Sequence, residues 1–337
     1  MKNRILIAVL AIAGMATAAV PALAQSQLRQ ITIGTNPAGT NYYVLGGAFA
    51  GVFQEKLGIR SSPQPYSGSS VYLPLLNSGG VTMGVNGSLD TASAYTGHAP
   101  YQQPLKDIRV LARVWVLPYA YFVRAKSNIA SMGELKGKRV VITLKSNTEL
   151  GNLNRTILAT GSVSPGDVTD VVAASIPQNI SDVVEGRADA GISALGIPLL
   201  HKAAAGIPGG IRILPVGPLG TDSFMDAHSP GSSTITVEPS PRNVGVSKSL
   251  RVAAFDTYLN ISAKVSDADA YRLVKALHDN WKALQEGNPP LRGTTLDMFA
   301  PANSAAPYHP GAVKFYKEIG IWTAANEKRQ QELLNSK

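Results

Sequence analysis

The sequence contains no cysteine, few histidines and no long run of positive charge. Without Cys in 337 residues, the chain has no disulfide, no thiol chemistry and no Cys-based metal site. The five His are dispersed, and neither His-Glu-x-x-His nor Gly-x-Ser-x-Gly occurs. We therefore expect no enzyme activity and no cofactor, and the sequence contains no signature of a metal site.

Positive charge is in excess but is spread along the chain. The formal net charge is +9, from 31 Lys and Arg against 22 Asp and Glu. No basic run is longer than Lys138-Arg139 or Lys328-Arg329, and no aromatic residues are interleaved with basic ones as a nucleic-acid platform. This pattern excludes a nucleic-acid partner and predicts only a mild attraction for anions.

Residues 1–24 have the pattern of an export signal. Lys2 and Arg4 form a positive start, residues 5–19 are mostly apolar, and Ala22-Leu23-Ala24 is a small-x-small cleavage site. The apolar run is shorter than the roughly 20 residues that span a bilayer, and no Cys follows the site for lipid attachment. We expect cleavage after Ala24 and a soluble periplasmic protein.

Strands and helices alternate through the first part of the chain. Residues 31–34 form an apolar strand, and residues 42–57 follow with apolar side chains at helical spacing and a stop at Gly58. A second strand at 60–64, a helix opened by residues 67–70 and a third strand at 81–86 continue this order. Strand, loop and helix in repetition predict a parallel sheet.

The order then begins again. Extended segments at 110–116 and 119–124 lead to a strand at 138–144, a polar loop and a helix that ends near residue 160, which mirrors residues 31–57. Residues 206–247 are predicted to form a long connection that ends in a return strand. The chain after it is predicted to be helical, with helices over 267–284 and 313–320.

These patterns predict an α/β protein with the two-lobed, type II-like architecture of periplasmic binding proteins. Each lobe is a mixed, mostly parallel sheet flanked by helices, and a ligand cleft lies between the lobes. We place lobe 1 at residues 26–116 and 248–337 and lobe 2 at residues 117–247. About 310 residues are enough for two lobes of ordinary size.

Polar loops at the carboxyl ends of these strands are the candidate ligand site. Ligands of open α/β sheets bind there, and a helix N-terminus favours an anion. We expect a monomer that closes on a small organic anion, such as a carboxylate. The candidate residues are Thr35, Asn36, Thr40, Asn41, Tyr42, Ser69, Ser70, Asn86, Ser88, Ser146, Asn147 and Thr148.

Four segments in order resemble the TAXI family, which comprises extracytoplasmic solute receptors of TRAP transporters. They are Gly34-Thr35 with Gly39-Thr40-Asn41-Tyr42-Tyr43, Ser67-Gly68-Ser69-Ser70, Glu134-Leu135-Lys136-Gly137-Lys138-Arg139-Val140, and Pro307-Tyr308-His309-Pro310-Gly311-Ala312. The resemblance spans nearly the whole mature chain. It implies a solute receptor that delivers its ligand to TRAP membrane subunits.

Two alternatives remain open from the sequence. The same fold serves periplasmic receptors of ABC transporters, of the kind that bind sulfonates or thiamine precursors. An exported hydrolase is the second alternative, because distant residues can converge in a fold.

Overall fold

The computed structural model describes residues 28–336, so the predicted signal peptide lies outside the described residues. These residues form a mixed sheet of ten strands with helices on its faces. The strands are β1 (Gln30–Thr35), β2 (Arg60–Pro65), β3 (Met83–Gly87), β4 (Ile108–Arg124), β5 (Arg139–Val140), β6 (Thr169–Asp170), β7 (Ala190–Ala194), β8 (Ile211–Ile213), β9 (Ser232–Val237) and β10 (Leu250–Ser262).

Eleven α-helices are found in the described part of the chain, with short 3-10 turns between some of them. They are α1 (Asn41–Leu57), α2 (Ser69–Ser78), α3 (Ser88–Thr96), α4 (Thr148–Ala159), α5 (Ile176–Val184), α6 (Pro198–Gly206), α7 (Asp222–His228), α8 (Asp267–Asp279), α9 (Trp281–Gly287), α10 (Pro310–Glu318) and α11 (Ala324–Asn335). Within residues 28–336, none of them has the length and apolar character needed to cross a membrane.

The sheet consists of two similar halves. In one half β1 pairs in parallel with β2 and β3, and β3 pairs antiparallel with β10. In the other half β5 pairs in parallel with β6 and β7, and β7 pairs antiparallel with β4. The repeat expected from the sequence is therefore confirmed: each half places a first strand between a second and a third.

The two longest strands join the halves. The first part of β4 pairs with β10, while residues 119–123 of β4 pair with β7. Likewise, β10 pairs with β9 through residues 250–255 and with β3 through residues 257–261. This is the predicted two-lobed periplasmic binding protein fold. The lobe boundaries at 116/117 and 247/248 stay a prediction, since they fall within β4 and just before β10.

Several expected elements differ from the observed ones. The segments at 110–116 and 119–124 are one continuous strand, and the return strand is β10 instead of residues 244–247. The predicted connection contains β8, α7 and β9, and the helix predicted over 267–284 is interrupted at Asn280. The apolar core lies between the sheet and the helices, with Phe49, Phe53, Tyr72, Phe122 and Tyr316 among its largest buried side chains.

Candidate functional site

The parallel strands of both halves lead into helices whose N-termini lie near the boundary between the lobes. In lobe 1 the chain passes from β1 to α1, and in lobe 2 it passes through residues 141–147 to α4. Thr40 caps α1 by accepting from the Tyr43 amide at 3.4 Å, and Asn147 caps α4 by accepting from the Leu150 amide at 3.2 Å. Because each helix N-terminus carries positive partial charge, this boundary is suited to polar or negatively charged groups.

A chamber between the lobes is lined by residues from both of them. Its open volume is about 30 Å³, which is room for about one or two water molecules. Polar wall residues come mainly from the start of α1, and apolar ones come mainly from lobe 2 and the crossing strands. The wall comprises Asn36, Thr40, Asn41, Tyr42, Leu117, Tyr119, Leu150, Ile176, Ile192, Ser193, Ala194, Ile197 and Phe255.

Several buried polar atoms in and around the chamber wall have no hydrogen-bond partner among residues 28–336. In the wall they are the Asn36 Oδ1, the Asn41 Nδ2 and the Tyr119 hydroxyl. Beside it they are the Ser88 and Ser146 hydroxyls and the Asp90 Oδ1. Buried polar groups are almost always hydrogen-bonded, so such a concentration marks a place built to receive polar atoms from a solute or from water.

Asp90 is the buried carboxyl group of this region. It lies in the first turn of α3 and is 2% exposed. Its Oδ2 accepts a hydrogen bond of 3.4 Å from the side-chain Nδ2 of Asn147, across the lobe boundary. Burial raises the pKa of Asp90 to about 7, and the charge of Glu149 adds to this rise, while the polar side chains of Asn147 and Ser69 lower it.

The two lobes touch each other through the loops that precede the helices. The Leu199 amide of lobe 2 donates to the Gly39 carbonyl at 3.1 Å, and the Thr148 amide donates to the Ser70 hydroxyl at 3.5 Å. A Cβ at Gly68 would overlap the carbonyl oxygen of Ser146, so only glycine permits this approach. The two lobes are therefore in direct contact at this boundary.

The structure brings most of the predicted site residues to this boundary. Asn36, Thr40, Asn41 and Tyr42 line the chamber. Six other predicted residues lie near Asp90 or in the contacts between the lobes. They are Ser69, Ser70, Ser88, Ser146, Asn147 and Thr148. Their roles in ligand binding stay a prediction.

Three of the predicted residues have hydrogen bonds that stabilise the fold. The Thr35 hydroxyl donates to the Asn36 carbonyl at 3.0 Å, and the Thr40 hydroxyl donates to the Pro37 carbonyl at 2.8 Å. The Asn86 side chain donates to the Thr91 hydroxyl at 2.7 Å and accepts from Asn260 at 3.1 Å. Asn86 thus belongs to a buried polar cluster that joins β3, α3 and β10.

Asp90 and the apolar half of the wall were not among the residues predicted from the sequence. Like the predicted residues of lobe 1, three of these wall residues lie where a strand ends and the next helix has not yet begun. Ser193, Ala194 and Ile197 lie at the end of β7 and before α6. The internal repeat was the signal that could have identified them. The sequence pattern that could have identified Asp90 was weaker. Asp90 is an acidic residue in the first turn of a predicted helix, and that helix follows a predicted strand.

Comparison with protein families gives one match over most of the chain. The model of a family described as the NMT1-like family matches residues 33–320. This finding corrects the predicted assignment to the TAXI family. It also removes the support for TRAP membrane subunits as the partner, since both rested on the same resemblance.

Solved structures with a similar fold are distant in sequence. The alkanesulfonate-binding protein SsuA from Xanthomonas axonopodis pv. citri, bound to MOPS, is 16% identical, with 90% of this chain and 84% of that chain covered and a TM-score of 0.49. PhnD1 from Prochlorococcus marinus, in complex with methylphosphonate, is 12% identical over 76% and 83% of the two chains, with a TM-score of 0.49. The periplasmic aliphatic sulphonate binding protein SsuA from Escherichia coli is 14% identical over 90% and 91%, with a TM-score of 0.44.

Proposed function

This chain belongs to the NMT1-like family, and on that premise we propose that it is an exported receptor for a small solute. It captures the solute between its two lobes in the periplasm and delivers it to an ABC-type membrane transporter. The family match favours this alternative over the TRAP partner that the sequence had implied. The solute is released unchanged, so the protein acts by binding and not by catalysis.

The observation that supports this proposal is the chamber between the lobes. It is lined by residues of both lobes, and its wall contains buried polar atoms without partners among residues 28–336. Its open volume of about 30 Å³ is too small for a solute of several non-hydrogen atoms. A solute therefore enters when the lobes separate, and closure then surrounds it.

The chain permits a direct test of this closure, because it has no Cys of its own. The double variant Ser70→Cys, Thr148→Cys places one thiol on each lobe, at the contact where the backbone nitrogen of Thr148 lies 3.5 Å from the Ser70 hydroxyl. Oxidation should form a single disulfide that holds the lobes closed. The two single-Cys variants are the matched controls, since each carries the same change without a possible intramolecular bond.

The solute is identified by native mass spectrometry of the protein purified from the periplasm without dialysis. We expect one small molecule per chain, released unchanged by urea and bound again after refolding. The double variant, emptied in the reduced state and then oxidised, should fail to bind this molecule, while both controls bind it. Binding by the oxidised form would contradict closure, and a chemically altered product would indicate the exported hydrolase instead.

The partner is tested separately, in membranes of cells that produce the protein. Addition of the loaded receptor should increase ATP hydrolysis by the transporter, and the emptied receptor should increase it less. Uptake that depends on an ion gradient and not on ATP would contradict the ABC-type partner. It would leave solute capture by the chamber unaffected.

A further inference from the structure

We propose that the buried carboxylate of Asp90 is the anionic group of the ligand site and that it binds a protonated amino group of the solute. This inference rests on the proposed receptor function and deepens it by naming the class of solute. It also replaces the expectation of a simple organic anion. The argument comes from the position of Asp90, from the charge of its surroundings and from the composition of the wall.

Asp90 occupies the position in which the sequence predicted a ligand anion. Its carboxylate lies in the first turn of α3, and it is hydrogen-bonded to Asn147, the N-cap of α4. The side chain of Ser69, the first residue of α2, also lowers the pKa of Asp90, although burial has the larger, opposite effect. The starts of three helices therefore already surround a negative group that the protein itself supplies.

The carboxyl group of Asp90 lies near Phe255, a residue of the chamber wall. A Cβ at Gly87 would lie 2.8 Å from the ring of Phe255, a wall residue, and 3.4 Å from the Asp90 Oδ2. The second carboxyl oxygen, Oδ1, is buried and has no partner among residues 28–336. This oxygen can accept a hydrogen bond and cannot donate one while Asp90 is ionised.

The groups that face Asp90 do not neutralise its charge. Burial, with a further contribution from Asp90 itself, raises the pKa of Tyr101 and Tyr119, so these hydroxyls stay neutral. Glu149 raises the pKa of Asp90 and so adds negative charge to its surroundings. The titratable and polar groups around Asp90 are Tyr42, Tyr72, Tyr101, Tyr119, Glu149, Asn147 and Ser69.

The chamber wall has neither Lys, Arg nor His in the described part of the chain. A carboxylate or sulfonate solute would therefore approach Asp90 without a side-chain cation to balance the two charges. A protonated amine supplies that balance and also donates to the free oxygen of Asp90. The apolar side of the wall, with Leu117, Ile176 and Ile197, suits an aliphatic body on the same solute.

A series of probes with the same branched carbon body tests this inference. Isobutylamine carries only an amine, valine carries an amine and a carboxylate, 3-methylbutanoate carries only a carboxylate, and isobutanol is neutral. Calorimetry with the mature protein, emptied in urea and refolded, measures their dissociation constants. We expect both amines to bind more tightly than the acid and the alcohol, and the comparison of valine with isobutylamine shows whether a carboxylate contributes.

The variant Asp90→Asn should weaken binding of the amines by roughly ten- to a hundredfold, because a hydrogen bond to a charged group is lost. Glu55→Gln changes the net charge equally at an exposed position and should bind as the wild type does. Proton exchange provides a second readout, measured in two buffers with different ionisation enthalpies. At pH 6 an amine should displace the proton of Asp90, whereas a bound carboxylate at pH 8 would cause proton uptake.

Tighter binding of 3-methylbutanoate than of both amines, or binding of neither amine, would overturn the proposal. Unchanged amine binding by Asp90→Asn would overturn it as well. The proposed receptor function has different tests: it fails if oxidation of the Ser70→Cys, Thr148→Cys variant leaves solute binding intact, or if the solute is chemically altered. A receptor that closes on an acid would thus refute the amine proposal alone.

Discussion

Replacement of Asp90 by Asn should remove a pH-dependent contribution from the free energy of unfolding. The carboxyl group is 2% exposed, and burial raises its pKa from 3.8 to about 7. In the unfolded chain the same group is in water and has its ordinary pKa. The folded protein therefore holds this proton more strongly than the unfolded chain does.

The sign of the effect follows from proton linkage. Between pH 3.8 and about 7 the folded state retains a proton that the unfolded state has released, so the free energy of unfolding falls by about 1.4 kcal/mol per pH unit. From pH 5 to pH 8 the loss due to Asp90 is about 2 to 3 kcal/mol, because it stops once the pH exceeds the folded pKa. The stabilising effect of the bound proton is thus complete at low pH and lost as the pH rises through 7.

The carboxamide introduced by Asp90→Asn has nearly the shape of a protonated carboxyl group but does not titrate. This variant should therefore lose about 2 to 3 kcal/mol less than the wild type between pH 5 and pH 8. Urea unfolding followed by fluorescence of the three Trp measures this difference. Glu55→Gln, whose carboxylate is 71% exposed, should keep the wild-type dependence, and an equal loss in wild type and Asp90→Asn would refute the reasoning.

Three further predictions concern other parts of the chain. Thr40→Ala should lower the free energy of unfolding by about 1 kcal/mol, because α1 loses its N-cap; an unchanged urea midpoint would contradict this. Asn260→Ala should cost about 1–3 kcal/mol in the same assay, since the buried Asn86 Oδ1 loses its donor, and a neutral effect would argue against the buried cluster. N-terminal sequencing of the exported protein should begin at Gln25, and an unprocessed N-terminus would show that the signal prediction is wrong.

The partner and the solute class were less accessible to sequence reasoning than the fold. The four motif matches implied a TRAP receptor, whereas the family match over residues 33–320 is to the NMT1-like family. The fold was predictable because strand, polar loop and helix recur in a readable order. The membrane partner leaves no comparable pattern, since related receptor folds serve different transporters.

Strand β10 shows why the sequence misled us about the last third of the chain. Residues 250–262 are almost all buried, on both faces of the strand, so the alternation of apolar and polar residues that marks a half-exposed strand is missing. The prediction therefore made this region helical. Its role as the strand that joins both lobes depends on its long pairing with β4.

The sequence by itself determined the repeated α/β pattern and the polar loops, since local periodicity and helix capping are encoded over a few residues. It located Asn36, Thr40, Asn41 and Tyr42 at one loop, and the structure places all four in the chamber wall. Only the tertiary structure brought Asp90 to the N-cap of α4 and set its pKa. That environment comes from segments far apart in the chain, and burial and charge depend on distances in space that no local pattern records.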